Sequence, residues 1–117
     1  MEQKDKELVL KDLSARLPYK VIVHVRYDTG EPCYGELTPI DIKWFIDSKI
    51  KEIKPYLRPM SSMTEEEKAM YEGLMIGTDN ISYMLDVIDW LNAYHFDYRG
   101  LISMGLALEA PKGMYNV

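Results

Sequence analysis

The hydrophobic positions of the chain follow a helical period at both ends and an alternating period between them. Residues 4–17 place Val9 and Leu13 on one face, with Asp12 and Arg16 assigned to the opposite, polar face. This spacing predicts an amphipathic helix that packs on a core. A proline directly after this range disfavours further helical geometry, so the helix is predicted to end there.

After this helix the period changes to two, which is typical of a β-strand with one drier face. Val21, Val23 and Val25 point to one side of the predicted strand. Residues 28–30 have turn chemistry, and residues 33–42 are predicted to form the return strand of a hairpin.

Residues 39–54 fit two patterns. The isoleucines and Trp44 alternate as in a strand, and β-branched and aromatic residues dominate the segment. The pair Thr38 and Pro39 instead resembles the beginning of a helix. We favour the strand, and we expect the proline-bounded residues 55–59 to be extended without regular pairing.

The second half of the chain predicts a helical hairpin. Thr64 and Glu67 have the spacing of a capping box, so a helix is expected to begin there and to run to about Ile76. Gly77 is placed to end it. The inward-facing residues of this helix are predicted to be Met70, Leu74 and Met75.

A second apolar stripe follows at helical spacing and predicts the other helix of the hairpin, again facing a core. The stripe consists of Ile81, Met84, Leu85, Ile88 and Leu91. One of residues 78–80 is expected to cap this helix, and Asp97 is expected to cap a short third helix over residues 98–104.

Together these elements predict a single α+β domain. We expect an N-terminal helix, a small antiparallel sheet over residues 20–58 (SH3-like or a partly open barrel), then a C-terminal helical hairpin plus a short helix. A chain of 117 residues is long enough to bury a core, and a hydrophobic fraction of 47% with 28% charged residues is that of a globular protein.

Charge and cysteine content narrow the possible settings. The net charge is −5, and residues 59–117 carry 3 basic against 9 acidic residues, which makes that half a poor ligand for phosphate backbones. Cys33 is the only cysteine, and the N-terminus lacks the apolar run of a signal peptide. We therefore expect a cytoplasmic protein with no membrane association and no disulfide.

Catalytic and metal-binding patterns are weak. Asp28, Thr29 and Gly30 match the tripeptide of aspartic proteases, but their neighbours have the composition of a hairpin turn. His95 and His24 show no metal-ligand spacing with each other or with Cys33. We therefore predict no catalytic residue, no metal, no cofactor and a protein that is not an enzyme.

A dense cluster of aromatic and polar residues follows the second hairpin helix and is the predicted protein-binding surface. Its members are Trp90, Tyr94, His95, Phe96, Asp97, Tyr98 and Arg99. The structural alternative is that His95 and Asp97 cap helix ends, that Arg99 pairs with a carboxylate and that the aromatics complete a core.

The alternative function is that of a nucleic-acid-binding accessory protein. A basic cluster with one aromatic residue on the predicted sheet is suited to stacking bases and following a phosphate chain. It consists of Lys49, Lys51, Lys54, Tyr56 and Arg58. The intervening Glu52 and the negative net charge favour an ordinary solvated face instead.

Three stretches carry a family resemblance: LKDLSARLPY (10–19), IKPYLRPMSSMTEEE (53–67) and DWLNAYHFDYRGLISMGLALEAP (89–111). They resemble a family of small uncharacterised proteins encoded by phages and prophage-like regions of gut Bacteroides-type bacteria. The resemblance implies a phage-associated setting and a partner from the phage or its bacterial host. It implies no activity, cofactor or catalytic residue.

Overall fold

Helices and strands are interspersed along the part of the chain that the computed structural model describes, which is residues 2–27, 30–76 and 81–115. Short 3₁₀ turns lie at Leu17–Tyr19 and Met60–Ser62. The elements of the described residues are α1 (Gln3–Arg16), β1 (Ile22–Tyr27), β2 (Cys33–Glu36), α2 (Pro39–Ile46), β3 (Ile50–Leu57), α3 (Glu65–Met75), α4 (Ile81–Ala93) and β4 (Leu108–Glu109). The predicted α+β class and the order of its helices are confirmed.

The four strands form one sheet in the order β2-β1-β3-β4. β1 pairs antiparallel with both neighbours, so that Val23 lies opposite Gly35 on one side and Pro55 on the other. β4 joins parallel to β3, with Leu108 opposite Tyr56. The sheet is therefore mixed rather than purely antiparallel, and the described strands do not confirm an SH3-like barrel.

The main core lies between the sheet and the two helices that pack on it. The alternation predicted for β1 is confirmed, because its inward valines are buried. Val9 and Leu13 of α1 and Phe45 of α2 pack against this face. Burying a side chain of this size stabilises a fold by about 1.5–3 kcal/mol, so this layer accounts for much of the stability of the domain.

The strand predicted over residues 39–46 is wrong, because this segment is the helix α2. Thr38 and Asp41 form a complete capping box, and Pro39 occupies the first turn, where its missing N–H costs nothing. These local signals outweigh the alternating period. The return strand is correspondingly short and ends at Glu36.

Two further predictions need correction. Residues 55–57 are not unpaired, because β3 continues through them and pairs with β1 and β4. Residues 98–104 form successive turns rather than a helix, although Asp97 does accept backbone N–H groups at their start.

A second, smaller core joins the hairpin of α3 and α4, hereafter the hairpin, to the rest of the fold. Val87, Leu91 and Phe96 are its buried members, and Tyr71 and Leu74 of α3 pack against them. The predicted capping box of α3 is confirmed. Gly77 and the predicted cap of α4 lie outside the described residues.

Candidate functional site

Residues 95–99 form a turn that joins the end of α4 to the end of β3. His95 has a left-handed backbone with φ of 65°. The N–H of Arg58 donates to the carbonyl of His95 at 2.8 Å, and the N–H of Asp97 donates to the carbonyl of Arg58 at 2.9 Å. These bonds make a parallel bridge between Arg58 and Phe96 and fix the turn to the sheet.

Three side chains of this turn are buried. His95, Phe96 and Asp97 are 7%, 0% and 9% exposed. The Asp97 carboxylate accepts the backbone N–H groups of Leu101 at 2.8 Å and Ile102 at 2.9 Å. These three side chains therefore do not form the exposed surface that the sequence predicted for them, because folding has already covered and paired them.

Tyr98 and Arg99 extend into a buried network that reaches α1. Asp12 accepts Arg16 Nε at 2.9 Å and Arg99 Nε at 3.1 Å. Arg99 Nη2 donates to the Tyr98 hydroxyl at 3.2 Å, and that hydroxyl donates to the Asn92 side chain at 2.9 Å. The predicted alternative, in which Arg99 pairs with a carboxylate, is what the structure shows.

Asp12 and Arg16 are fully buried, although the sequence placed them on the polar face of α1. Arg16 Nη2 also donates to the carbonyl of Phe96 at 2.7 Å, so one guanidinium links α1 to the turn. Arg16 lies seven residues after Val9 and three after Leu13, which is the spacing of one helix face. That spacing could have revealed its inward position.

His95 stacks on Tyr115, with ring centroids 3.8 Å apart. Burial, with smaller contributions from the charges of Arg16 and Arg58, lowers the pKa of His95 to about 4. Burial raises the pKa of Tyr115 to about 12. Its hydroxyl donates to the carbonyl of Tyr56 at 2.7 Å and accepts the N–H of Ile22 at 2.9 Å. His95 is therefore neutral near neutral pH, which does not suit it to acid–base catalysis there.

Trp90 and Tyr94 keep part of their surface and line a groove of about 570 Å³ together with Met70. The groove lies where the beginning of α3 meets the end of α4. Its other walls are Thr64, Glu65, Glu66 and Glu67. Trp90 is held from behind by stacking on Tyr71 and Phe96, with ring centroids 6.1 and 5.7 Å away.

One groove residue is already committed to the fold. The Glu67 carboxylate accepts hydrogen bonds from both Nη atoms of Arg58, at 2.6 and 2.7 Å. These hydrogen bonds lower the pKa of the Glu67 carboxyl. The Arg58 guanidinium also lies 4.2 Å from the ring centroid of Phe96. This pair secures the N-terminus of α3 to the end of β3.

The largest departure from expectation is the outer face of α4. Four of the five predicted core residues of this helix are solvent-exposed, and we call them the α4 stripe: Ile81 (75%), Met84 (48%), Leu85 (57%) and Ile88 (38%). Only Leu91 at the end is buried. The described residues thus leave most of the α4 stripe outside both cores.

Helix α3 shows the same departure. It has no buried residue, and Met70 and Met75, predicted to face inward, are 56% and 42% exposed. Ile76, directly after the helix, is exposed as well. The third predicted inward residue of α3, Leu74, packs against the second core.

The hairpin also concentrates the negative charge of the protein. Residues 64–93 carry seven acidic residues and one lysine, a net charge of −6, whereas the remaining residues carry 13 basic and 12 acidic residues, or +1. Asp89, next to the α4 stripe, and Asp86, farther round the same helix, are exposed. Neither carboxylate forms an ion pair or hydrogen bond with another described residue.

The predicted nucleic-acid segment is divided by the structure. Lys49 and Lys51 are exposed, and Lys54 lies opposite His24 in the sheet register. Tyr56 is only partly exposed, and its carbonyl accepts the Tyr115 hydroxyl. Arg58 is engaged by Glu67, so it is not a free phosphate ligand.

No group of three or more His, Cys, Asp and Glu side chains in the described residues converges as a metal site. Asp28 and Thr29, two members of the protease-like tripeptide, lie outside the described residues. Gly30, the third, is an exposed residue with φ of 97°.

None of the described helices is both long and apolar enough to cross a membrane. Comparison of the chain with known protein families, with curated proteins and with solved structures finds no match.

Proposed function

We propose that this chain is a small non-enzymatic interaction module that binds another protein through the hairpin. The observation that carries this proposal is the α4 stripe, in which four large apolar side chains of one helix face are exposed to solvent. Contiguous exposed apolar patches on soluble domains are typical of binding surfaces.

The energetics favour a partner. Burying a large apolar side chain is worth about 1.5–3 kcal/mol, and the fold forgoes much of that at each position of the α4 stripe. The main core is complete without these residues. Met84 adds an adaptable thioether, which suits a surface that packs against another protein.

The residues of the predicted protein-binding surface have two different roles in this proposal. Trp90 and Tyr94 line the groove at the base of the hairpin, where a partner side chain can insert. His95, Phe96 and Asp97 do not contact the partner but fix the end of α4 to the sheet. The hairpin is thereby presented at a defined angle.

The setting that we propose is the cytoplasm of a bacterial host, with a phage or host protein as the partner. The family resemblance of residues 53–67 and 89–111 supports this setting. A nucleic-acid-binding role stays the alternative, and it would use Lys49, Lys51 and Lys54. Retention on heparin that falls steeply with salt would favour it, because phosphate contacts release counterions.

Affinity capture from host cells with matched variants tests the proposal. Leu85→Glu introduces a charge into the α4 stripe, and Ile40→Glu makes the same change at a similarly exposed residue of α2, which is 51% exposed. We expect Ile40→Glu and the unaltered chain to recover the same partner and Leu85→Glu to lose it, with all three proteins melting at similar temperatures. Equal recovery by both variants would contradict the proposal.

A further inference from the structure

We infer that the partner presents a basic amphipathic helix to the α4 stripe, an inference that rests on the proposed function and specifies its ligand. Three observations support it: the geometry of the stripe, the charge that flanks it, and the charge of the hairpin as a whole.

The shape of the surface suits another helix and excludes pairing with a single extended strand. Ile81, Met84, Leu85 and Ile88 recur at i, i+3, i+4 and i+7, so they form a ridge along α4. A helix surface has no unpaired backbone groups in its middle turns, so it does not pair with an extended strand. Helices pack on such a ridge by inserting their own rows of side chains into the grooves beside it.

The flanking charge selects a basic partner. Asp89 lies four residues after Leu85, so its carboxylate borders the α4 stripe. Asp86 lies three residues before Asp89, on the same flank of α4 but farther from the stripe. Both are exposed and unpaired among the described residues. A lysine or arginine beside the apolar face of a partner helix meets Asp89 directly, and Asp86 adds to the negative field on that flank.

The charge also disfavours a second copy of this chain as the occupant. Two hairpins packed through their α4 stripes bring two net charges of −6 together, including Asp86 and Asp89 of each copy. Like charges next to each other oppose association, and opposite charges select the partner and accelerate its binding. A basic helix gains from the same field that repels a copy.

Synthetic peptides test this inference without knowledge of the natural partner. The first probe is a peptide of about 18 residues, with leucines along one helical face and lysines on the other, a length sufficient for measurable helix on binding. The second probe has glutamate in place of every lysine. The third has the composition of the first in an order without helical periodicity. Binding to the full chain is followed by fluorescence anisotropy.

We expect the lysine probe to bind at least about tenfold more tightly than either control, because the glutamate probe is repelled and the reordered probe has no continuous apolar face. Equal binding of the glutamate probe overturns the inference. Equal binding of the reordered probe does so as well, because it would show attraction by charge alone.

Variants of the protein locate the binding. Leu85→Glu is expected to weaken binding of the lysine probe at least about tenfold, and Ile40→Glu is expected to leave its binding unchanged. Replacing Asp86 and Asp89 together by Asn is expected to weaken binding of the lysine probe severalfold, and this effect should shrink as the salt concentration is raised. The matched control replaces Glu31 and Glu36, exposed residues near and in β2, by Gln. An equal loss in this control overturns the inference, because only net charge would then matter.

Two outcomes separate this inference from the proposed function. If a captured partner depends on Leu85 but presents an acidic or non-helical segment, the proposed function stands and the basic helix is refuted. If sedimentation shows a dimer that Leu85→Glu dissociates, a second copy occupies the α4 stripe and the inference is likewise refuted. If neither the probe nor any captured protein responds to Leu85→Glu, the proposed function fails too.

Discussion

Helices α1 and α4 have the same kind of sequence and opposite surroundings. Each has an apolar stripe at helical spacing. The stripe of α1 lies on the sheet and is so well covered that even Asp12 and Arg16 beside it are buried. The α4 stripe is exposed, and of the predicted core residues of α4 only Leu91, one turn beyond the end of the stripe, is buried. An amphipathic pattern thus predicts a helix that requires a partner surface, but it does not say whether that surface belongs to the same chain.

The two regions also use charge differently. At α1, Asp12 forms ion pairs with both Arg16 and Arg99 inside the fold, and these pairs fix α1 to the turn after α4. On the hairpin, Asp86 and Asp89 face solvent without partners among the described residues. Charge is structural in the first region and available for recognition in the second. Substitutions in the two regions should therefore have contrasting effects.

The largest effect is expected from Asp12→Ala. This change leaves the guanidinium groups of Arg16 and Arg99 without their shared carboxylate in a buried site, and removing one partner of a buried ion pair costs about 3–5 kcal/mol. Urea unfolding measures the loss. Asp89→Ala on the hairpin should change the free energy of unfolding by less than about 0.5 kcal/mol. A small effect of Asp12→Ala would show that the network is not structural.

A matched pair of leucines tests the comparison directly. Leu13→Ala removes a fully buried side chain of α1 and should cost about 2–5 kcal/mol. Leu85→Ala removes an exposed one from α4 and should stay within about 0.5 kcal/mol. The same unfolding experiment measures both. Comparable losses would mean that α4 is covered in solution.

The pH dependence of stability should report the buried turn. The pKa of His95 is about 4 in the fold and 6.5 in an ordinary setting, so between these values the unfolded chain binds more protons. Stability should therefore fall as pH drops from about 6.5 towards 4, by roughly 3 kcal/mol from this residue. His95→Gln should remove that part of the pH dependence. An unchanged profile in the variant would contradict the burial of His95.

The smallest effect is expected at Gly73, in the middle of α3. A methyl group added there meets no atom within 4 Å, and glycine within a helix costs roughly 0.5–1 kcal/mol relative to alanine. Gly73→Ala should therefore stabilise the hairpin slightly, as a small rise in the melting temperature. A fall would show that another surface packs against this position.

Local rules in the sequence predicted most of the secondary structure. The capping box at Thr64 and the alternation of the β1 valines depend on neighbouring residues only, and both are confirmed. The strand expected over residues 39–46 failed because a cap and a proline in the first turn outweighed a period that suits either structure.

The site was harder to predict, because burial depends on which elements the topology brings together. His95 to Asp97 are polar and aromatic in sequence, as a binding surface is, but side chains distant in sequence cover them. Tyr115 stacks on His95, and Arg58 lies against Phe96. The α4 stripe has the pattern of a core, but it belongs to neither core of the described residues. The segment that was predicted to be exposed is therefore buried, and the stripe that was predicted to be buried is exposed. The inward position of Arg16 was the part that helical spacing could have shown.

A photocrosslinking amino acid placed at position 85 in living host cells tests most directly whether the α4 stripe binds another protein. We predict one defined adduct with a different protein from position 85, and none from position 40 on α2. No adduct from position 85, or equal adducts from both positions, would contradict the proposal that the hairpin is a binding surface.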